Sequence, residues 1–373
     1  MIEEKLPIVI VGAGLSGAVL AERCATVLSR KVIVLEKRSH VAGNCFDYLN
    51  TDGIMVSKYG AHIFHTSDTD VWRYVNLFAK WRPYEHRVLS SVNQKLVPVP
   101  VNIDTVNSLL GLSIRSSKEM EEWLRVERAK CSIEMVTNSE EAALVRFGNK
   151  KIYDLMFKEY TYKQWSLWPD QLEPSVLERI PIRLDYNDRY FNDAYEAIPE
   201  GGYTKFVQAL LDHPLIEVRT NTDYFDVKNE LERYEKLIYT GPIDHFYNNK
   251  FEKLEYRSLR FEFETHNKEN YQPASVVNFP SLDYPYTRIV EYKKLYGGVS
   301  PKTTIAKEFP TWDGEPYYPV PTDANRERYD KYRKYAEQSK DVIFAGRLAN
   351  YKYFNMDQAI KNSLDVFNEY FCS

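Results

Sequence analysis

The apolar pattern of the chain is densest near its start. Ile8 to Val11 are four consecutive apolar residues, read as a buried parallel strand. They run into Gly12-Ala13-Gly14-Leu15-Ser16-Gly17, then a helical stretch, then a second apolar run, Val32–Leu35, which ends at Glu36. Farther on the period changes repeatedly. Residues 88–103 read as strands, with Pro98 and Pro100 marking an edge or an exit. From Ser116 to about Trp165 the spacing is helical, with capped starts at Ser117 and Asn138 and a third helix from about Lys150 through Tyr160. Asp68 and Asp70 mark a further helix start. Residues 180–200 alternate as strands do, and Gly201-Gly202-Tyr203 opens a helix through Leu211. Short apolar strands follow at 216–218 and 236–239. Alternating segments at 256–263, 275–279 and 287–292 predict a sheet, 341–347 a late buried strand, and 356–371 a closing amphipathic helix.

The first of these stretches carries chemistry. Strand, glycine turn, helix, strand and terminal acid form the dinucleotide fingerprint in the context it requires. Gly12 permits the tight turn, Gly14 lets the backbone approach a pyrophosphate, and Gly17 lets the helix lie close on the strand. The helix N-terminus offers free N–H groups to phosphate oxygens. Glu36, about 20 residues on, is placed for ribose hydroxyls. A second glycine, Gly43, with Asn44, follows shortly after the acid and suggests that the chain keeps wrapping the cofactor, which favours a flavin over a nicotinamide.

With 373 residues and 44% apolar content, two or three domains with well-formed cores are expected. The net charge of −4 argues against a nucleic-acid surface. The cysteines (Cys24, Cys45, Cys131, Cys372) form no CxxC pair, which fits a reducing cytoplasm. No Ala-x-Ala cleavage site follows the apolar N-terminus, and no run of about 18 apolar residues is present, so neither a signal peptide nor a membrane span is expected. His62 and His65 lack a third His or Cys nearby, which speaks against a metal. A loop along a flat cofactor ring is the better reading. There is no GxSxG, HExxH or P-loop. What stands out is Arg179, Arg288 and Arg347 beside glycines and prolines, with Tyr317, Tyr318, Tyr351 and Tyr353 near them. Arginine forks bind phosphate oxygens, although structural salt bridges use the same residues. Tyr160 and Trp165 could wall a stacking pocket or pack helix on helix.

In ten motifs, in one order, the sequence resembles the UDP-galactopyranose mutase family. They are the fingerprint with Glu36-Lys37-Arg38 and Gly43-Asn44; residues 59–66 (YGAHIFHT); 160–165 (YTYKQW); 179–183 (RIPIR); 201–205 (GGYTK); 239–244 (YTGPID); 254–259 (LEYRSL); 285–288 (PYTR); 315–319 (EPYYP); and 346–348 (GRL). The resemblance implies an α/β protein whose discontinuous Rossmann-like FAD-binding domain (1–84, 198–247, 315–373) holds an inserted helical domain (104–165) and an antiparallel β-sheet domain (85–103, 166–197, 248–314). It implies an isomerase acting on a nucleotide sugar with reduced FAD, in which flavin N5 forms a covalent adduct with the sugar and no net redox change occurs. It also implies a homodimer, and a flavin reductase that nothing in the sequence identifies.

By the same resemblance, Arg179 and Arg288 hold the diphosphate, and Tyr190, Tyr318 and Tyr353 donate hydroxyls to it. Phe157, Tyr160, Thr161, Trp165 and Asn278 border the nucleotide and sugar. Leu15, Ser16, Lys37, His62, Ile63, Val218, Gly346, Arg347, Phe354, Asn355 and Met356 join the fingerprint residues around FAD, and the stretch around Arg179 is a mobile lid. Two positions depart from the family pattern: His86 stands where an Asn is expected in the substrate pocket, and Asn355 replaces an Asp. UDP-galactose is the expected substrate, with UDP-N-acetylgalactosamine or dTDP-fucose as alternatives. An amine oxidase-like flavin oxidoreductase and a non-catalytic nucleotide-sugar binder are the readings from other classes.

Overall fold

The computed structural model describes residues 6–178, 180–231, 233–339 and 341–372. Its organising layer is a five-stranded parallel sheet in the order Ile216–Arg219, Val32–Leu35, Ile8–Val11, Lys236–Tyr239, Val342–Phe344. The central strand is apolar throughout because both of its faces are covered. Ile8 and Ile10 pack with helices Leu15–Thr26, Tyr203–Leu211 and Met356–Phe371. Val9 turns the other way, to Ile33, Leu35, Tyr224 and Leu237. The strands come from distant parts of the chain, so this unit is discontinuous.

A seven-stranded sheet forms the second layer, in the order Tyr318–Pro319, Tyr256–His266, Thr303–Thr311, Arg288–Glu291, Val276–Asn278, Val88–Val92, Lys95–Val99. Val88, Val92, Val97, Val99, Val276, Val290 and Ala306 form one apolar core with helices Ile103–Leu110, Ser117–Arg128 and Ser139–Phe147. Asn102, Ser116 and Asn138 cap these helices through their side chains. The strand carrying Pro98 is an edge, where a missing N–H costs no ladder bond. The fold is mixed α/β, with parallel and antiparallel sheets.

Three expectations need correction. The sheet is not purely antiparallel, because Val276–Asn278 runs parallel to Val88–Val92. Of residues 180–200 only Tyr195–Pro199 is a strand, while Arg189 and Ile182 make isolated bridges. The rest is loop, pinned by Arg183, whose guanidinium donates to the Arg189 and Phe191 carbonyls at 2.8 and 3.0 Å. The third helix does not stop at Tyr160. It continues to Trp165 through a five-residue π-helical turn, Asp154–Lys158. Closing helix Met356–Phe371 has the bounds expected.

Candidate functional site

The fingerprint turn is set by close contacts. Gly12 has φ +104°, and a Cβ there would lie 2.2 Å from Thr240 Oγ1, which itself donates to the Val11 carbonyl. A Cβ on Gly17 would lie 1.9 Å from the Gly12 carbonyl oxygen, so only glycine lets the helix seat on the turn. Helix Leu15–Thr26 has no side-chain cap and no acid in its first turn, which leaves its N–H groups to an anion. Gly14 and Gly43 face each other backbone to backbone, a cradle that side chains would fill. Glu36 is buried and accepts from Ala13 N and Arg38 N, both at 2.9 Å. Each oxygen keeps a second lone pair for a ribose hydroxyl. These features fit a dinucleotide.

Around this cradle, Leu15, Ser16 and Ile63 are buried, and Gly346 lies against Ser16, whose Oγ a Cβ would meet at 2.7 Å. Lys37 pairs with Glu315 at 2.8 Å, and Asn44 accepts from Arg38 at 3.0 Å. Val218 lines a cavity of about 620 Å³ with His40, Phe46, Thr204 and Lys205. Met356 Sδ lies 3.7 Å from Cys45 Sγ.

The second half of the site is a polar row across the apolar face of the large sheet. Strand register aligns Ser90, Asn278, Arg288 and Glu308. Because side chains alternate with period two, this row shares its face with Val88, Val276, Val290 and Ala306. Arg288 Nε donates to Glu308 Oε2 at 2.5 Å, and Glu308 is 1% exposed. Burial opposes the Arg288 charge, but Glu308, Tyr160 and Tyr318 hold its pKa well above the usual value. Glu308 Oε1 finds no partner among the described residues.

His86 is 5% exposed, packed edge-on by Tyr190, with Phe191 and Tyr84 beside it. Its carbonyl accepts from Tyr190 N at 2.7 Å, while Nδ1 has no partner among the described residues. Burial, then the charges of Arg288 and His65, push its pKa down to about 3. His62 donates through Nδ1–H to the Gly60 carbonyl, 2.9 Å away. Desolvation, with Arg347 and Arg288 nearby, lowers it to about 4. Tyr318 stacks on Tyr353 at 5.6 Å, meets Trp165 edge-on at 6.4 Å, and lies 5.6 Å from the Arg347 guanidinium. Arg347 also bonds the Phe354 and Tyr317 carbonyls and has no carboxylate partner among the described residues.

The structure therefore brings together His62, His86, Tyr160, Trp165, Tyr190, Asn278, Arg288, Tyr318, Arg347 and Tyr353. Phe157 stacks flat on Phe147 at 4.6 Å within the helical core, and Thr161, four residues on, is buried too. Asn355 starts the closing helix, where its N–H donates to Gln358 Oε1 at 3.0 Å. The expectation for Arg179 lies outside the described residues. His65 pairs with Asp193 at 2.7 Å, and no group of three or more metal-ligating side chains occurs among the described residues. Sequence reasoning missed Glu308 and Lys163. Glu308 sits at an inward position of an alternating strand, where an unpaired acid signals a buried cation nearby.

Residues 155–353 match the UDP-galactopyranose mutase family, and residues 10–78 match an NAD(P)-binding Rossmann-like domain. A Klebsiella pneumoniae protein described as a probable UDP-galactopyranose mutase is 37% identical over 372 residues, covering 98% of this chain and 95% of that one. The chain belongs to the UDP-galactopyranose mutase family. It is an enzyme of the isomerase class, an intramolecular transferase. The chain is also similar to the dTDP-fucopyranose mutase of Escherichia coli, at 34% identity with 96% of each chain covered. A crystal structure of reduced UDP-galactopyranose mutase shares the fold at TM-score 0.78 and 19% identity, covering 98% of this chain and 95% of the other. An oxidoreductase from Methanosarcina mazei shares it at TM-score 0.63 and 10% identity, covering 97% and 100%. At those identities the likeness is one of fold. No described helix is long and apolar enough to cross a membrane.

Proposed function

We propose that this family member interconverts UDP-galactopyranose and UDP-galactofuranose, using FAD in its reduced form with no net redox change. The observation that carries the reading is Arg288. Its Nε is fixed by Glu308, and neither terminal nitrogen has a partner among the described residues, so the fork is oriented and free for a diphosphate. Tyr318 stands beside it as a hydroxyl donor with Tyr353 stacked on Tyr318, Asn278 is its neighbour across the strands, and Tyr160 and Trp165 supply aromatic surface for base and sugar.

When bound, reduced FAD supplies the nucleophile for the anomeric carbon. The protein's work is then charge and position. Arg288, with Arg179 by resemblance, stabilises the diphosphate as it leaves and holds it for return. His62 and His86 stay neutral near two arginines, so they offer hydrogen bonds to sugar hydroxyls without competing for the phosphate. The fingerprint, Glu36, Gly43 and Arg347 hold the cofactor. The three-part domain division drawn from the sequence belongs to this reading, as does a homodimer in a reducing compartment.

A second reading, dTDP-fucopyranose, is favoured by the similar identity to the Escherichia coli enzyme and by the departures at His86 and Asn355. The test is a product assay on the purified yellow protein, with UDP-galactofuranose and dTDP-fucofuranose in parallel, with and without dithionite. Conversion of the UDP sugar only when reduced is expected. Conversion of the dTDP sugar alone moves the substrate and keeps the chemistry. Oxygen consumption without isomerisation would instead make the chain an oxidoreductase.

A further inference from the structure

Lys163 is a half-buried cation with no part in the chemistry proposed for the site. It lies on helix Glu159–Trp165 and reaches the loop 279–287, which joins the strand ending at Asn278 to the strand beginning at Arg288. Its Nζ lies within hydrogen-bond distance of four carbonyls of that loop, those of Phe279, Ser281, Tyr284 and Tyr286, with the last three at 3.0, 3.0 and 2.8 Å, and its three N–H groups are shared among them. One helical turn earlier Glu159 accepts from Leu282 N at 3.0 Å. No carboxylate pairs with Lys163 among the described residues, and burial lowers its pKa to about 8 although Glu159 opposes this. The helix end is itself fixed by Arg257, 1% exposed, which donates to the Gln164 and Lys163 carbonyls at 2.9 and 3.4 Å.

Residues 282–285 are exposed, so little apolar burial holds the tip of the loop. Four carbonyls converging on one ammonium is the chemistry of a monovalent-cation site, with lysine in place of the ion. An arginine fork cannot reproduce it, because its donors diverge in a plane. On one side of this joint stand Tyr160 and Trp165; on the other, Asn278 and Arg288.

We propose that Lys163 is a positioning residue for the nucleotide, its ammonium setting the distance between the aromatic wall of helix Glu159–Trp165 and the diphosphate-facing strand. The proposal rests on the nucleotide-sugar reading. The test uses the flavin-loaded enzyme and its Lys163→Met variant, with UDP as the binding probe and amide exchange over 279–286 as a nucleotide-free readout. The variant should keep its flavin, exchange faster over the loop, and bind UDP at least about tenfold more weakly, with KM rising more than kcat falls. Lys163→Arg should not restore affinity, whereas Lys163→Ala should recover part of it in potassium or ammonium and none in choline. Should Lys163→Met fail to fold, Pro285→Gly frees the same exposed loop from its restricted backbone and should weaken UDP in the same direction. Equal UDP affinity in the variants and the unaltered enzyme overturns the proposal alone. Failure of UDP to bind the unaltered enzyme overturns the parent reading and this one with it.

Discussion

The cradle around Gly12–Gly17 and the wall around Arg288 are built by opposite means. The cradle is made of backbone, and its tolerances are steric: 1.9 Å at Gly17 and 2.2 Å at Gly12 leave no room for a methyl group. The wall is made of side chains from six or more separated segments, held by charge. A Glu from one strand orients an Arg from the next, and a Lys from a helix gathers a loop. The difference teaches where each half is vulnerable. The cradle fails by exclusion and takes the cofactor with it; the wall fails by disorientation and leaves the cofactor in place.

The largest effect expected is at the cradle. Gly17→Ala should lose flavin altogether, with about 1–3 kcal/mol of stability, read by absorbance at the flavin band and by denaturant unfolding. A yellow, stable variant would break the comparison. Arg288→Ala comes next: flavin retained, turnover down about 10²–10³-fold, since leaving-group charge loses its partner. Wild-type turnover would remove Arg288 from the mechanism. Glu308→Gln should be milder, about tenfold in kcat with KM little changed, because a neutral amide still accepts from Nε but orients the guanidinium less firmly. A loss of flavin in that variant would show that the two halves are not separable.

How much of this was legible in the sequence follows the same division. The cradle was, because strand, turn, helix and acid lie in one continuous stretch whose spacing is dictated by the phosphate. The closing helix was too, since its apolar period runs unbroken. Arg288 was found, but its partner was not. Glu308 lies 20 positions on, and only the register of two antiparallel strands makes them neighbours. The alternation at 180–200 misled because loop residues such as Phe191 are half-buried by stacking on His65 at 3.6 Å, not by strand pairing. Lys163 could not be read as a clamp, since its partners are carbonyls that any sequence supplies.

Smaller effects sharpen the picture of the wall. His62 and His86, held down at about 4 and 3, remain neutral in the folded enzyme at pH 5, whereas both bind protons below about 6.5 when unfolded. The unfolded state then carries more protons, so stability falls as pH drops from 6.5, by up to about 1.4 kcal/mol per pH unit for each histidine. Unfolding midpoints at pH 7 and pH 5 should therefore converge in His86→Asn relative to the unaltered protein. Midpoints that stay as far apart would mean His86 is protonated in the fold. Smallest of all is Asn355→Asp, because both residues start helices equally well: less than about 0.5 kcal/mol in stability is expected, and a larger change would tie position 355 to the charge of the site.

The π turn at Asp154–Lys158 has a bearing on how such a pocket can change over generations. A π turn is an α-helix carrying one surplus residue. Everything after it, Tyr160, Thr161 and Trp165 included, is rotated by about 100° from where a regular helix would put it, while everything before it keeps its core contacts. Deleting a single residue within 154–158 would relax the helix into a more regular one and swing the aromatic wall away from Arg288. The fold would survive the deletion, and the pocket would not. One position of length in a buried helix thus acts as a setting for what the pocket accepts, adjustable in a single genetic step without touching any residue that faces the ligand.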